Sequence, residues 1–143
     1  MSIATRSILV FLLAFVLCAG LAGAQDAKPT PTEADVPYGE HPNQAIDFYK
    51  AESDTPTPFV LYIHGGGFRS GSKSGVKAET VRALLDAGIS VFGVEYRFIG
   101  HAPLPAAHED CARALQFIRS KATEWNLDKT RVGAFGGSAG AQL

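Results

Sequence analysis

One residue in this sequence has the setting of a catalytic nucleophile. Ser138 lies in the pattern Gly-x-Ser-x-Gly, at residues 136–140 (GGSAG), directly after an apolar segment. A serine hydroxyl attacks a carbonyl carbon when a nearby base takes its proton and a third group orients that base. The pattern is typical of a strained turn between a strand and a helix, where small neighbours avoid steric clashes. The alternative is a serine that caps the helix of an ordinary turn, and the pentapeptide alone leaves both open.

A second glycine-rich segment, residues 64–68 (HGGGF), follows an apolar run earlier in the chain. In acyl transfer a negative charge develops on the carbonyl oxygen, and backbone N–H groups of a rigid loop stabilise it. Glycines allow such a loop to approach the substrate and to adopt conformations closed to other residues. The two segments together favour acyl transfer at Ser138 over a helix cap. We expect His64 to hold the loop in place rather than to act as the catalytic base.

The segments between and around these motifs alternate between strand and helix patterns. Continuous apolar runs, typical of strands buried on both faces, cover 59–63, 90–96 and 132–135. Helical spacing of apolar residues covers 74–87 and 105–125. Residues 45–50 predict a strand at the periphery of the sheet. This alternation predicts an α/β fold with a mainly parallel sheet flanked by helices.

Composition and motif checks argue against nucleic-acid and nucleotide binding. The chain has 13 basic and 14 acidic side chains, a formal net charge of −1, and no basic stripe. Residues 66–73 approach the phosphate-binding pattern G-x-x-x-x-G-K-[ST], but Ser72 occupies the lysine position. The dinucleotide pattern G-x-G-x-x-G fails because Phe135 stands where its first glycine belongs. We expect no metal or organic cofactor, and we expect Cys111 to be a small buried apolar residue.

The first 24 residues have the pattern of a secretory signal peptide. Arg6 precedes an apolar run over 8–17, and small residues end the segment. Residues 25–37 are polar and proline-rich, which predicts a flexible linker before a folded part that begins near Tyr38. We therefore expect a secreted or periplasmic protein with no membrane contact after the leader is removed. A retained membrane anchor is the alternative, because apolar character continues weakly beyond that run.

The chain resembles the N-terminal half of an α/β-hydrolase of the hormone-sensitive-lipase and feruloyl-esterase-like (BD-FAE-like) group. The resemblance covers residues 38–143. The motifs that carry it are 64–68 (HGGGF), 95–97 (EYR), the helix with Glu109 and Asp110, and 136–140 (GGSAG). It implies a serine hydrolase of small-molecule carboxylic esters that forms an acyl-enzyme.

The resemblance also implies roles for individual residues. Ser138 would be the nucleophile, and the N–H groups of Gly66, Gly67 and Ala139 would form the oxyanion hole. Supporting positions in the two motifs would be His64, Gly65, Gly136 and Gly140. By analogy, Arg97 and Asp110 would form a supporting ion pair near the site entrance.

The acid and the histidine of the catalytic triad follow the serine in this family. Every histidine of this sequence precedes Ser138: His41, His64, His101 and His108. We therefore expect a hydrolase domain over 38–143 that is truncated after the serine turn, with the strand before Ser138 left as an open sheet edge. A triad rearranged from upstream residues and a non-catalytic truncated pseudoenzyme are the alternatives.

Overall fold

The computed structural model describes residues 27–143, in which five strands form one sheet. The strands are β1 (Glu33–Pro37), β2 (Ala45–Tyr49), β3 (Thr57–Ile63), β4 (Ser90–Val94) and β5 (Leu127–Gly136). The helices are α1 (Ala78–Asp86), α2 (Ala106–Ser120) and α3 (Ala139–Gln142), and a 3-10 turn covers Lys73–Gly75. The strands follow the order β1-β2-β4-β3-β5 across the sheet.

The strands β3, β4 and β5 run parallel, and the predicted site lies at their C-terminal ends. Ile63, the last residue of β3, pairs with Val94 of β4 and with Gly136 of β5. The three strands therefore end together, and the segments that follow them start side by side. On the far side, β2 and then β1 extend the sheet in antiparallel fashion. The predicted α/β fold with a mainly parallel sheet is confirmed.

Apolar cores cover both faces of the sheet. The strands β2, β3, β4 and β5 contribute to both cores because neighbouring residues of a strand point in opposite directions. On one face Phe48 stacks against Phe92 with ring centroids 4.5 Å apart, in a core that includes Cys111 of α2. On the other face Val91 packs in a core with Val81 of α1. The prediction of a buried Cys111 is confirmed, and burial, followed by the charge of Asp110, raises the pKa of its thiol to about 12.

Two predictions for the N-terminal side of the sheet are wrong. Residues 25–37 were expected to form a flexible linker, yet Glu33–Pro37 form β1 and pair with β2. Because most of β1 is exposed, no apolar alternation marks this strand in the sequence; backbone pairing holds it. The strand β2 is not peripheral, since it lies between β1 and β4 and is buried along its whole length. The predicted signal peptide, residues 1–24, lies outside the described residues.

The C-terminal side of the described chain differs from its prediction in two respects. The strand β5 covers Leu127–Gly136, so it begins five residues before the predicted strand over 132–135. The helix expected over 105–125 ends at Ser120, although Trp125 still packs in the core and donates from Nε1 to Glu33. Within residues 27–143, β5 pairs with β3 alone, so its outer edge is open as predicted. The same residues include no helix that combines the length and the apolar character needed to cross a membrane.

Candidate active site

Ser138 lies on a strained turn between β5 and α3. Its backbone has φ 55° and ψ −121°, a conformation that non-glycine residues rarely adopt. Ser138 occupies the N-cap position of α3, but its side chain makes no capping hydrogen bond to the helix, which argues against an ordinary helix cap. The residue is exposed at the end of the sheet. A strained, exposed serine at a strand-to-helix turn is the geometry that the G-x-S-x-G pattern predicts.

The glycines that flank the serine are required by close backbone packing. A Cβ atom on Gly136 or on Gly140 would overlap the carbonyl oxygen of Ile63 at the end of β3. Gly137, by contrast, has open space where a side chain would begin. The turn is therefore pressed against β3 through its first and last glycines, which fixes the position of Ser138 between them.

The His-Gly-Gly-Gly loop reaches the same place from β3. A Cβ atom on Gly65 would lie 2.7 Å from the carbonyl oxygen of Gly137 and 3.5 Å from Cβ of Ser138. The two motifs, far apart in the sequence, are thus in contact because Ile63 and Gly136 end paired strands. The structure brings the predicted nucleophile and the predicted oxyanion loop together.

The three predicted oxyanion residues have N–H groups available for a ligand. Within residues 27–143, no group accepts a hydrogen bond from the backbone N–H of Gly66, Gly67 or Ala139. Gly66 has φ 119° and Gly67 has φ 60°, so both adopt backbone conformations that favour glycine. Such unpaired donors beside the predicted nucleophile match what an oxyanion requires.

His64 is buried beneath the loop and hydrogen-bonds away from Ser138. Its Nε2 lies 2.7 Å from Oε1 of Glu95, and its Nδ1 lies 2.8 Å from the carbonyl oxygen of Gly65. The ring stacks on Tyr96 at 4.4 Å, and the Tyr96 hydroxyl donates to the His64 carbonyl at 2.9 Å. These contacts agree with the prediction that His64 holds the loop.

The predicted ion pair between Arg97 and Asp110 is confirmed. Arg97 donates from Nη2 to Oδ1 at 2.7 Å and from Nε to Oδ2 at 2.9 Å, and its backbone N–H donates to Oδ2 at 3.0 Å. Gln44 adds a fourth hydrogen bond at 2.7 Å. Burial alone would raise the pKa of this fully buried carboxyl, but the bonds from Arg97 and Gln44 outweigh burial and lower it.

The other histidines have different contacts. Nδ1 of His41 accepts from the backbone of Asn43, Nδ1 of His101 accepts from the backbone of Phe98, and the ring of His108 stacks on Phe68. No histidine nitrogen within residues 27–143 hydrogen-bonds to Ser138 Oγ. The part of the chain that the structure describes therefore places the predicted nucleophile beside the predicted oxyanion donors and gives no support to a rearranged triad.

Glu95 and Lys73, at the same end of the sheet, have contacts that the sequence did not reveal. Glu95 hydrogen-bonds to His64 and to the backbone N–H of Lys73, whose ammonium group lies 2.7 Å from Oδ1 of Asp47. The available signal was positional, because Glu95 follows β4 just as His64 follows the neighbouring strand β3. As for metals, residues 27–143 contain no group of three or more His, Cys, Asp and Glu side chains arranged to bind one.

The sequence of the chain matches a known protein family. A sequence model of the BD-FAE family matches residues 46–143, from β2 through the serine turn. The chain belongs to the BD-FAE family. The match includes both glycine motifs, Glu95 and the ion pair, so the resemblance inferred from the sequence is confirmed.

Several relatives of this BD-FAE chain are ester hydrolases. Carboxylic ester hydrolase LipN of Mycobacterium tuberculosis is 30% identical over 129 residues, which cover 89% of this chain and 34% of LipN. Among solved structures, a bacterial heroin esterase matches with a TM-score of 0.64 and 28% identity, covering 87% of this chain and 42% of the esterase. The esterase Est2 of Thermogutta terrifontis, at 23% identity, supports the fold with a TM-score of 0.66 over 78% of this chain and 43% of Est2.

These matches confirm the α/β-hydrolase fold. They also show that the chain spans less than half the length of LipN and of the two esterases.

Proposed function

We propose that the protein hydrolyses carboxylic esters through an acyl-enzyme on Ser138. The observation that carries the proposal is the contact between the strained Ser138 turn and the glycine loop with its unpaired N–H groups. Membership of the BD-FAE family and similarity to carboxylic ester hydrolases support the same chemistry.

In the proposed reaction Ser138 Oγ attacks the ester carbonyl carbon while a histidine accepts the hydroxyl proton. The carbonyl oxygen becomes an oxyanion and accepts hydrogen bonds from the N–H groups of Gly66, Gly67 and Ala139. The alcohol then leaves with the proton from the histidine, and water hydrolyses the acyl-enzyme by the reverse sequence of proton transfers.

The base and its orienting acid are proposed to come from sequence outside these 143 residues. The support is that none of the described histidines hydrogen-bonds to Ser138, while the family order places the acid and the histidine after the serine. The leader pattern at residues 1–24 supports a secreted or periplasmic location for the whole protein.

The coding sequence downstream of Leu143 is the first test. The proposal predicts an open reading frame that continues and supplies an acid and then a histidine. A stop codon directly after Leu143 would instead favour a non-catalytic remnant of the fold.

The second test is covalent labelling of the complete gene product with a fluorophosphonate. We expect stoichiometric labelling that Ser138→Ala abolishes. The matched control is Ser120→Ala, because Ser120 is also exposed but donates to the Phe117 carbonyl at the end of α2, and this variant should label fully. The 143-residue chain alone should not be labelled. Labelling that persists in Ser138→Ala would refute Ser138 as the nucleophile.

A further inference from the structure

One carboxylate holds both ends of the glycine loop. Oε1 of Glu95 lies 2.7 Å from Nε2 of His64, at the start of the loop over residues 64–73. Oε2 of Glu95 accepts a hydrogen bond of 3.1 Å from the backbone N–H of Lys73, at its end. We propose that Glu95 is the positioning residue of the oxyanion hole, an inference that rests on the proposed function.

The placement of Glu95 follows from the register of the sheet. Ile63 pairs with Val94 in the parallel strands β3 and β4, so His64 and Glu95 follow at the same edge. The Glu95 side chain is only 14% exposed and that of His64 only 3% exposed. A carboxylate this far from water needs hydrogen-bonding partners, and it finds them at the two ends of the loop.

Both ring nitrogens of His64 are engaged in hydrogen bonds to oxygen atoms. A carbonyl oxygen only accepts, so the contact between Nδ1 of His64 and the Gly65 oxygen requires a proton on Nδ1. Nε2 and the Glu95 carboxyl oxygen share one proton in a hydrogen bond of 2.7 Å. Glu95 thus fixes the orientation of the ring, and the ring in turn holds the Gly65 oxygen.

The bond from His64 to Gly65 sets the direction of the first oxyanion donor. The carbonyl of Gly65 and the N–H of Gly66 belong to one planar trans peptide and point in opposite directions. When the His64 ring holds the Gly65 oxygen, it therefore aims the Gly66 N–H away from the ring. Glu95 acts on this donor through His64 and does not need to touch the substrate.

The second donor is aimed in the same way by the middle of the loop. The carbonyl oxygen of Gly66 accepts from the backbone N–H groups of Arg69 at 3.0 Å and Ser70 at 3.2 Å. The N–H of Gly67 shares the planar peptide with that carbonyl and points in the opposite direction. The turn that makes these bonds lies between the two ends that Glu95 holds, so loss of Glu95 releases both donors.

The kinetic test compares Glu95→Ala and Glu95→Gln in the complete gene product. For Glu95→Ala we expect kcat to fall about 10²-fold, the loss that a misplacement of about 1 Å causes, with KM nearly unchanged because the donors act on the transition state. Glu95→Gln should recover most of kcat. Its amide can donate to Nε2 of a neutral His64 and can accept from the Lys73 N–H.

The matched control is Ser90→Ala, at the opposite end of β4. Ser90 is buried and hydrogen-bonds to Thr57 at 2.9 Å and to the Ala51 N–H at 3.1 Å, so its loss costs stability far from the loop. This variant should keep its kcat at temperatures well below its unfolding transition. If Glu95→Ala loses stability as Ser90→Ala does and keeps kcat within about 3-fold of wild type, Glu95 is structural and the proposal is wrong.

Hydrogen exchange separates this proposal from the proposed function, because it needs no activity. Amides of residues 65–72 should exchange faster in Glu95→Ala than in wild type, and at the wild-type rate in Ser90→Ala. Unchanged exchange in Glu95→Ala overturns the positioning role, whatever the kinetics show. A wild-type protein without Ser138-dependent hydrolysis overturns the proposed function, and faster loop exchange would then still support the hold of Glu95 on the loop.

Discussion

The loop at residues 64–73 and the turn at residues 136–140 meet at the end of β3, but they are held by different forces. The loop is held by side-chain hydrogen bonds to the segment that follows β4, above all to Glu95 and Tyr96. The turn is held by glycine backbone packed against the Ile63 carbonyl, and no side chain of residues 27–143 hydrogen-bonds to it. One half of the site depends on polar partners, whereas the other half depends on the absence of side chains.

This difference shows which half of the site is complete within the described chain. The partners of the loop all lie within residues 27–143 and are largely buried. The turn ends β5, whose outer edge pairs with no strand in the same part of the chain. The proposed oxyanion donors are thus positioned by described residues, while the proposed nucleophile makes no hydrogen bond to a base among residues 27–143.

The largest expected effect concerns the polar support behind the loop. Asp110 is fully buried and holds Arg97, two residues after Glu95. Asp110→Ala leaves the Arg97 charge and Gln44 without their partner, and we expect a loss of about 3–5 kcal/mol in the free energy of unfolding. Chemical denaturation of the complete gene product measures it.

The matched control for this variant is Glu109→Ala, one residue earlier on α2 and exposed. It should change the free energy of unfolding by less than about 1 kcal/mol. Similar losses for the two variants would mean that the Asp110 network does not stabilise this region.

The next largest loss of stability is expected from a substitution in the turn at residues 136–140. Gly140→Ala places a Cβ atom against the Ile63 carbonyl, and we expect a loss of about 1–3 kcal/mol because backbone must move to accommodate it. Gly137→Ala, in the same turn but with open space at its Cβ position, should be close to wild type in thermal unfolding. The packing account fails if Gly137→Ala destabilises the protein as much as Gly140→Ala does.

Most of the sheet and both glycine motifs could be predicted from the sequence, because continuous apolar runs and glycine clusters are local patterns. The strand β1 could not, since its exposed residues leave no periodic signal. The role of Glu95 was also hidden: residues 95–97 stood out only as a motif of the family resemblance, and it is the pairing of β3 with β4 that places Glu95 beside His64. Asp110 was recognised only through the family resemblance, and its bond to Gln44 depends on long-range contacts.

A smaller change in the free energy of unfolding is expected when the pH is lowered. The pKa of Asp110 is lower in the folded protein than in the unfolded chain, where it is about 3.9. Its ionised form therefore contributes stability above that pH, and the contribution is lost as pH falls through the lower folded value. Asp110→Asn should reduce this acid-side loss of stability in denaturation curves taken across acidic pH. An unchanged acid limb in Asp110→Asn would assign the effect to other carboxyls.

The smallest change in stability and in kcat is expected from a substitution inside the loop, at Ser70. The Ser70 hydroxyl donates to the Gly66 carbonyl at 3.3 Å, but that oxygen also accepts from two backbone N–H groups. Ser70→Ala should therefore cost about 0.5 kcal/mol or less and leave kcat within about 3-fold of wild type. A loss of kcat as large as that of Glu95→Ala would show that the middle of the loop, rather than its ends, sets the donors.

The most direct test of the account is a crystal structure of the complete gene product after reaction with a phosphonate ester. We expect phosphorus bonded to Ser138 Oγ and one phosphonyl oxygen about 2.7–3.1 Å from the backbone nitrogens of Gly66, Gly67 and Ala139. An adduct on another residue, or a phosphonyl oxygen that points away from these nitrogens, would contradict it.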